Sequence, residues 1–101
     1  MQNMKKKVTD NKQEQRYELP VEGYICYIDY MKPEEGVVCL THTEIPFAIQ
    51  NKGYGNELVE AVLTEIEQEG AKVVPLCGFV ASYIEKHPQW MVLVADGIEE
   101  V

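Results

Sequence analysis

The chain has 101 residues, 46% apolar and 26% charged, with seven glycines and five prolines; this excludes disordered, collagen-like and low-complexity classes and fits one domain. No run approaches the roughly 18 apolar residues of a membrane span, and the start Met1-Gln-Asn-Met-Lys-Lys-Lys7 has no apolar segment behind it, so a soluble chain with neither leader nor anchor is expected. Seventeen acidic residues outweigh nine basic ones, net −8, and the body from residue 16 carries five basic against fifteen acidic, which argues against a nucleic-acid partner because cationic neutralisation of phosphate supplies most of that affinity.

Residues 1–15 offer only Met1, Met4 and Val8 as apolar groups, so a flexible polar tail is expected, with a solvated Lys5-Lys6-Lys7 run and a single domain over 16–101. Tyr17, Leu19 and Val21 alternate with Arg16, Glu18 and Pro20, the period of a half-buried strand, and Glu22-Gly23 is a two-residue hairpin turn. Tyr24 to Met31, rich in β-branched and aromatic residues, predicts a second strand; Lys32 to Gly36 reads as a loop and Val37 to Thr43 as a third strand of an antiparallel meander. Beyond Pro46 a loop containing Gly53 and Gly55 leads into Leu58, Val59, Val62, Leu63 and Ile66, which recur at helical spacing until Gly70. Lys72 to Cys77 is a short strand, and Phe79 to Lys86 a second, shorter helix stopped by His87-Pro88. Trp90 to Val94 then forms a docking segment, followed by an acidic end from Asp96 to Val101. No internal repeat is present.

Cys26, Cys39 and Cys77 make neither a CxxC pair nor a Cys/His ligand spacing, and three is a poor number for a disulfide framework. No metal site is expected, and a reducing cytoplasm suits the chain. Cys26 and Cys39 lie in apolar runs, where cysteine is usually a small buried hydrophobe.

The most informative segment is Gln50-Asn51-Lys52-Gly53-Tyr54-Gly55-Asn56, joined directly to the long helix. Amides at a helix start form an anion site, and glycines let a phosphate approach the backbone, although a plain turn would also use two glycines. The triphosphate loop GxxxxGK[ST] is absent, and the dinucleotide fingerprint GxGxxG fails at Leu58. What remains is [Gln/Arg]xxGx[Gly/Ala], satisfied by Gln50, Gly53 and Gly55.

Here the chain resembles the GNAT superfamily of acyl-CoA N-acetyltransferases, whose pyrophosphate-binding loop has that form. With His42-Thr-Glu-Ile-Pro46 before the loop, and Val74-Pro-Leu-Cys77, His87-Pro88 and Trp90 after it, the order of motifs looks like the small single-domain GNAT-like branch, the N-acetyltransferase domain-containing or YjdJ-type family, over roughly residues 16–96. The resemblance implies an α+β protein with a reduced GNAT-like fold: a mixed, mostly antiparallel sheet with splayed strands, one long helix and one short helix. It implies acetyl-CoA (or CoA) in the split, with backbone groups of Thr43, Glu44 and Ile45 pairing with the pantetheine arm. Amides from Gln50 through Asn56 would hold the pyrophosphate, with Lys52 free to add positive charge.

The implied activity is transfer of the acetyl group to an unidentified amine, on a small molecule or a protein. Cys77 precedes Gly78 and a helix start, a location that lowers a thiol pKa, and the resemblance places it near the acetyl group. It is a candidate to accept the acetyl group or to protonate the leaving thiolate; a buried residue tightening the strand end is the structural alternative. His42, near the end of the third strand, is a candidate base or a group orienting Cys77, with Glu44 as a second base. His87 reads as a helix cap, Trp90 and Phe79 as core, and Tyr83 as a further source of a phenolic proton. The long N-terminal helical cover of full-size relatives has no counterpart, which leaves open a non-catalytic CoA-binding or protein-interaction module. The exposed acceptor side is compatible with a homodimer.

Overall fold

The computed structural model describes residues 6–95; the acidic end from Asp96 and the first five residues of the expected tail lie outside them. Five strands form one sheet in the order β1 (Thr9–Asn11), β2 (Arg16–Val21), β3 (Tyr24–Glu34), β4 (Val37–Glu44) and β5 (Lys72–Pro75). The first four are antiparallel and β5 is parallel to β4. The Glu22-Gly23 turn joins β2 to β3 with φ of +52° and +84°, the paired left-handed conformation of a two-residue turn matched to strand twist.

Two boundaries depart from the sequence reading. Residues 9–15 are not a flexible tail: β1 pairs with β2, Asn11 donates to Glu18, and the Tyr30 phenol donates to Asp10 at 2.6 Å. This strand is held by polar groups, so it lacks the apolar alternation that marks β2. Lys32 to Glu34 are also strand rather than loop, with an irregular register between Met31 and Glu34 that accommodates Pro33, which has no N–H for a ladder.

Helix α1 (Tyr54–Gln68) buries Leu58, Val59, Val62, Leu63 and Ile66 against the sheet face formed by Tyr17, Leu19, Cys26, Ile28, Val38 and Leu40. Its end is fastened by Gly70 at φ +76°: Gly70 N–H donates to Glu67 and Ala71 N–H to Ile66, the paired bonds of a Schellman motif. Helix α2 (Gly78–Lys86) contributes Val80, Tyr83 and Ile84 to the same core, and a 3-10 segment, Pro88–Leu93, adds Trp90 and Leu93. Among the described residues no helix is long and apolar enough to cross a membrane.

Two features of β4 position everything that follows. Its ladder with β5 runs from Val37↔Lys72 to Leu40↔Pro75, while β4 continues through Glu44. On the other side, Tyr30 pairs with Leu40 but Asp29 pairs with His42, so Thr41 is an extra residue, a β-bulge.

Replacing the fully buried Ile66 by alanine is expected to lower the unfolding free energy by about 3 kcal/mol through the cavity it leaves. Gly70→Ala is expected to cost about 1 kcal/mol because its φ is left-handed. Urea titrations measure both; a Gly70→Ala variant as stable as the parent would show that the left-handed residue does not hold the helix end.

Candidate functional site

The glycine segment reverses the chain into α1 through Asn51 at φ +66° and Gly53 at φ +86°. Gly53 is the N-cap and offers no side-chain acceptor, and the helical bonding begins with Glu57 N–H to Gly53 at 3.3 Å. The amides of Tyr54, Gly55 and Asn56 are therefore left without a helical acceptor, at the positive end of a 15-residue dipole. Gln50 closes the loop from behind, its side-chain amide donating to the Ile45 carbonyl at 2.9 Å. Gly55 is backed by Phe79, whose ring would stand 2.7 Å from an added Cβ.

These amides open into a cavity of about 450 Å³. One wall is His42 and Thr43 of β4 with Ile45 and Ile49; the loop and first turn of α1 provide Gln50, Asn51, Gly53, Tyr54, Gly55 and Asn56; Cys77 and Phe79 face them from the start of α2. Phe79, expected in the core, is 44% exposed and acts as a cavity wall, whereas Trp90 is buried as expected.

Cys77 is the N-cap of α2. Its Sγ lies 3.2 Å from the Thr43 hydroxyl. The amides of Phe79 and Val80 lie near the sulfur without reaching the geometry of a cap bond. Burial pushes the thiol pKa up, but the Thr43 hydroxyl and the amides of Val80, Phe79 and Thr43 outweigh it, and the net direction is down from the ordinary value. Cys26 and Cys39 are buried in the sheet, and burial raises the Cys26 thiol.

His42, expected as a base or as a group orienting Cys77, lines the same cavity but makes no contact with the sulfur. Residues paired across a ladder share a sheet face, so Thr43, opposite the buried Ile28, lies on the helix side with Cys77, while His42 and Glu44, opposite Asp29 and Tyr27, lie on the other face. His42 Nε2 sits 2.8 Å from Glu44 Oε1. The strict alternation of Val38 and Leu40 would have carried His42 to the core face; the Thr41 bulge, whose hydroxyl donates to the Asp29 carbonyl, reverses it. The side chain in contact with Cys77 is Thr43, a pairing the sequence did not signal.

Lys52 is not free: its ammonium lies 3.3 Å from Glu22. Neither Lys52 nor Glu44 lines the cavity. Tyr83 faces away, donating its phenol to Glu60, and burial together with that carboxylate raises its pKa. His87 is the C-cap of α2, with Nδ1 donating to the Tyr83 carbonyl at 2.9 Å and its ring stacked on Tyr83. A larger concavity, about 870 Å³, runs along α1 between Lys6, Lys7 and Val8 on one side and Glu57, Glu60 and Glu65 on the other. Its carboxylates disfavour an anion, and it holds neither Cys77 nor His42. Among the described residues no group of three or more His, Cys, Asp or Glu is placed to hold a metal ion.

Residues 16–93 match the family model of the GCN5-related N-acetyltransferases. The fold is similar to the NMR solution structure of a GCN5-like protein from Staphylococcus aureus, with a TM-score of 0.66 over 92% of this chain and 91% of that one at 16% identity, a likeness of fold alone. No curated protein matches the chain.

Alkylation by iodoacetamide is expected to select Cys77 and to follow a titration below the ordinary cysteine pKa. Above the lowered pKa the thiolate is present, and as pH falls through it the reactivity is lost. Thr43→Val removes the hydroxyl that favours the thiolate, so its rate profile should move to higher pH; superimposable profiles would remove Thr43 from the account.

Proposed function

Because this chain belongs to the GCN5-related N-acetyltransferase family, we propose that it binds acetyl-CoA between β4 and the starts of α1 and α2 and transfers the acetyl group to an amine. The observation that carries this reading is that an uncapped helix start and a thiol of lowered pKa line one cavity. The loop suits the pyrophosphate: Gly53 has φ +86° with nothing within 4 Å of where a Cβ would stand, so backbone amides can be approached directly. The Thr43 amide faces Cys77 across the gap that β5 leaves, and with Ile45 it forms the wall along which a pantetheine arm would run. The Ile45 carbonyl already accepts from Gln50 and Glu44 is turned to the other face, so Thr43 is the main contributor of the three.

Acetyl-CoA supplies an activated thioester. Cys77 contributes a sulfur that reaches the thiolate state readily, with Thr43 Oγ1 beside it to donate a proton or hold the anion. The amides of Phe79 and Val80 stabilise negative charge near the sulfur. His42 and Glu44 form an exposed pair suited to taking a proton from an amine that arrives at the other face of β4.

Calorimetry with acetyl-CoA and CoA tests binding, and intact mass after incubation tests acyl transfer to the protein. Saturable binding is expected, weakened about tenfold by Gly53→Val, since a β-branched side chain at a left-handed φ costs about 1–2 kcal/mol. Gly55→Ala should be milder, because the Phe79 ring it meets can swing outward. A single acetyl increment, lost in Cys77→Ala, is expected. Binding without it would leave direct transfer or a CoA-binding module, separated by an amine screen; absence of binding would refute the reading.

A further inference from the structure

Glu22 occupies the first position of the β2–β3 turn, held at φ +52° and followed by Gly23 at φ +84°. From there its carboxylate reaches a segment thirty residues away: both oxygens lie 3.3 Å from Lys52 Nζ, and Oε2 accepts from the Tyr54 phenol at 2.5 Å. Lys52 is the cation of the glycine segment and directly precedes the N-cap Gly53; Tyr54 is the first residue of α1 and lines the cavity. A carboxylate has thus been placed beside a helix start that favours anions, and it takes up the one lysine there. The pair is about half exposed, so it contributes little to stability. Its consequence falls on the ligand.

We propose that Glu22 is a built-in competitor for the phosphate groups of the bound nucleotide, holding Lys52 until a phosphate takes its place. This rests on the reading of the cavity as a CoA site. A lysine is a compact charge on a flexible four-carbon stem, long enough to swing from the turn tip to the uncapped amides, whereas Glu22 is fixed by a tight turn. Binding exchanges one carboxylate for a pyrophosphate, whose two phosphates together carry more charge, on the same ammonium. The turn therefore sets the affinity: tight enough for the cofactor, with part of the attraction cancelled in advance.

The test is calorimetry of CoA at low salt with the parent, Glu22→Gln, Lys52→Met and the double variant. Glu22→Gln keeps a group able to accept from Tyr54 and is expected to tighten CoA binding by about two- to fivefold, the range of an exposed ion pair. That gain should shrink as salt is raised and vanish in the Lys52→Met background. Equal or weaker binding by Glu22→Gln overturns the proposal, as does a gain of the same size without Lys52, which would assign it to general charge repulsion. Thermal melts of each variant confirm that the fold is kept. Failure of the parent to bind CoA would overturn the site itself, an outcome distinct from a parent that binds and a Glu22→Gln variant that is unchanged.

Discussion

The cleft exists because the β4–β5 ladder has to stop. β5 ends at Pro75, paired with Leu40, and the next two amides, Leu76 and Cys77, converge on the single carbonyl of Leu40 at 3.0 Å each. That convergence turns the chain off the sheet and into α2, while β4 runs on to Glu44. The gap is therefore not a flaw in packing but the place where one strand has a backbone edge and its neighbour has become a helix start. Cys77 stands at that corner, and so does the edge amide that faces it.

The second constraint is the extra residue at Thr41. A bulge shifts the facing of everything after it, so β4 presents Thr43 to the helix side and His42 with Glu44 to the other. The strand then divides two kinds of chemistry between its faces: a sulfur with hydrogen-bond donors on one, an imidazole with a carboxylate on the other. A group held in the gap between β4 and α2 is bordered by both. His42 and Cys77 therefore line one cavity without touching each other.

Local signals wrote most of the architecture into the sequence. The Glu22-Gly23 turn, the spacing of Leu58 to Ile66, Gly70 at the helix end and the short strand before Cys77 each act over a few residues, and each has its predicted place. What was not legible depends on partners distant in sequence. β1 is three polar residues whose order comes from Glu18 and Tyr30. Lys32 to Glu34 look like a loop because Pro33 and charged residues mark loops, yet β4 recruits them. The face of His42 followed from a bulge that leaves no mark on composition, and Lys52 looked free because Glu22 lies thirty residues earlier.

The charge of the chain and its proposed ligand can be reconciled on the same local footing. A body with fifteen acidic residues repels an anion at long range, but that repulsion is screened beyond about 8–10 Å at physiological salt. Inside that distance the N-terminus of α1 presents three amides without a helical acceptor and no Cβ on Gly53 to shield them. Glu22 is a carboxylate fixed within that range, in contact with Lys52 and Tyr54. The net charge of the chain is thus no argument against the proposed ligand, because the charges that matter at contact range are those around one helix start.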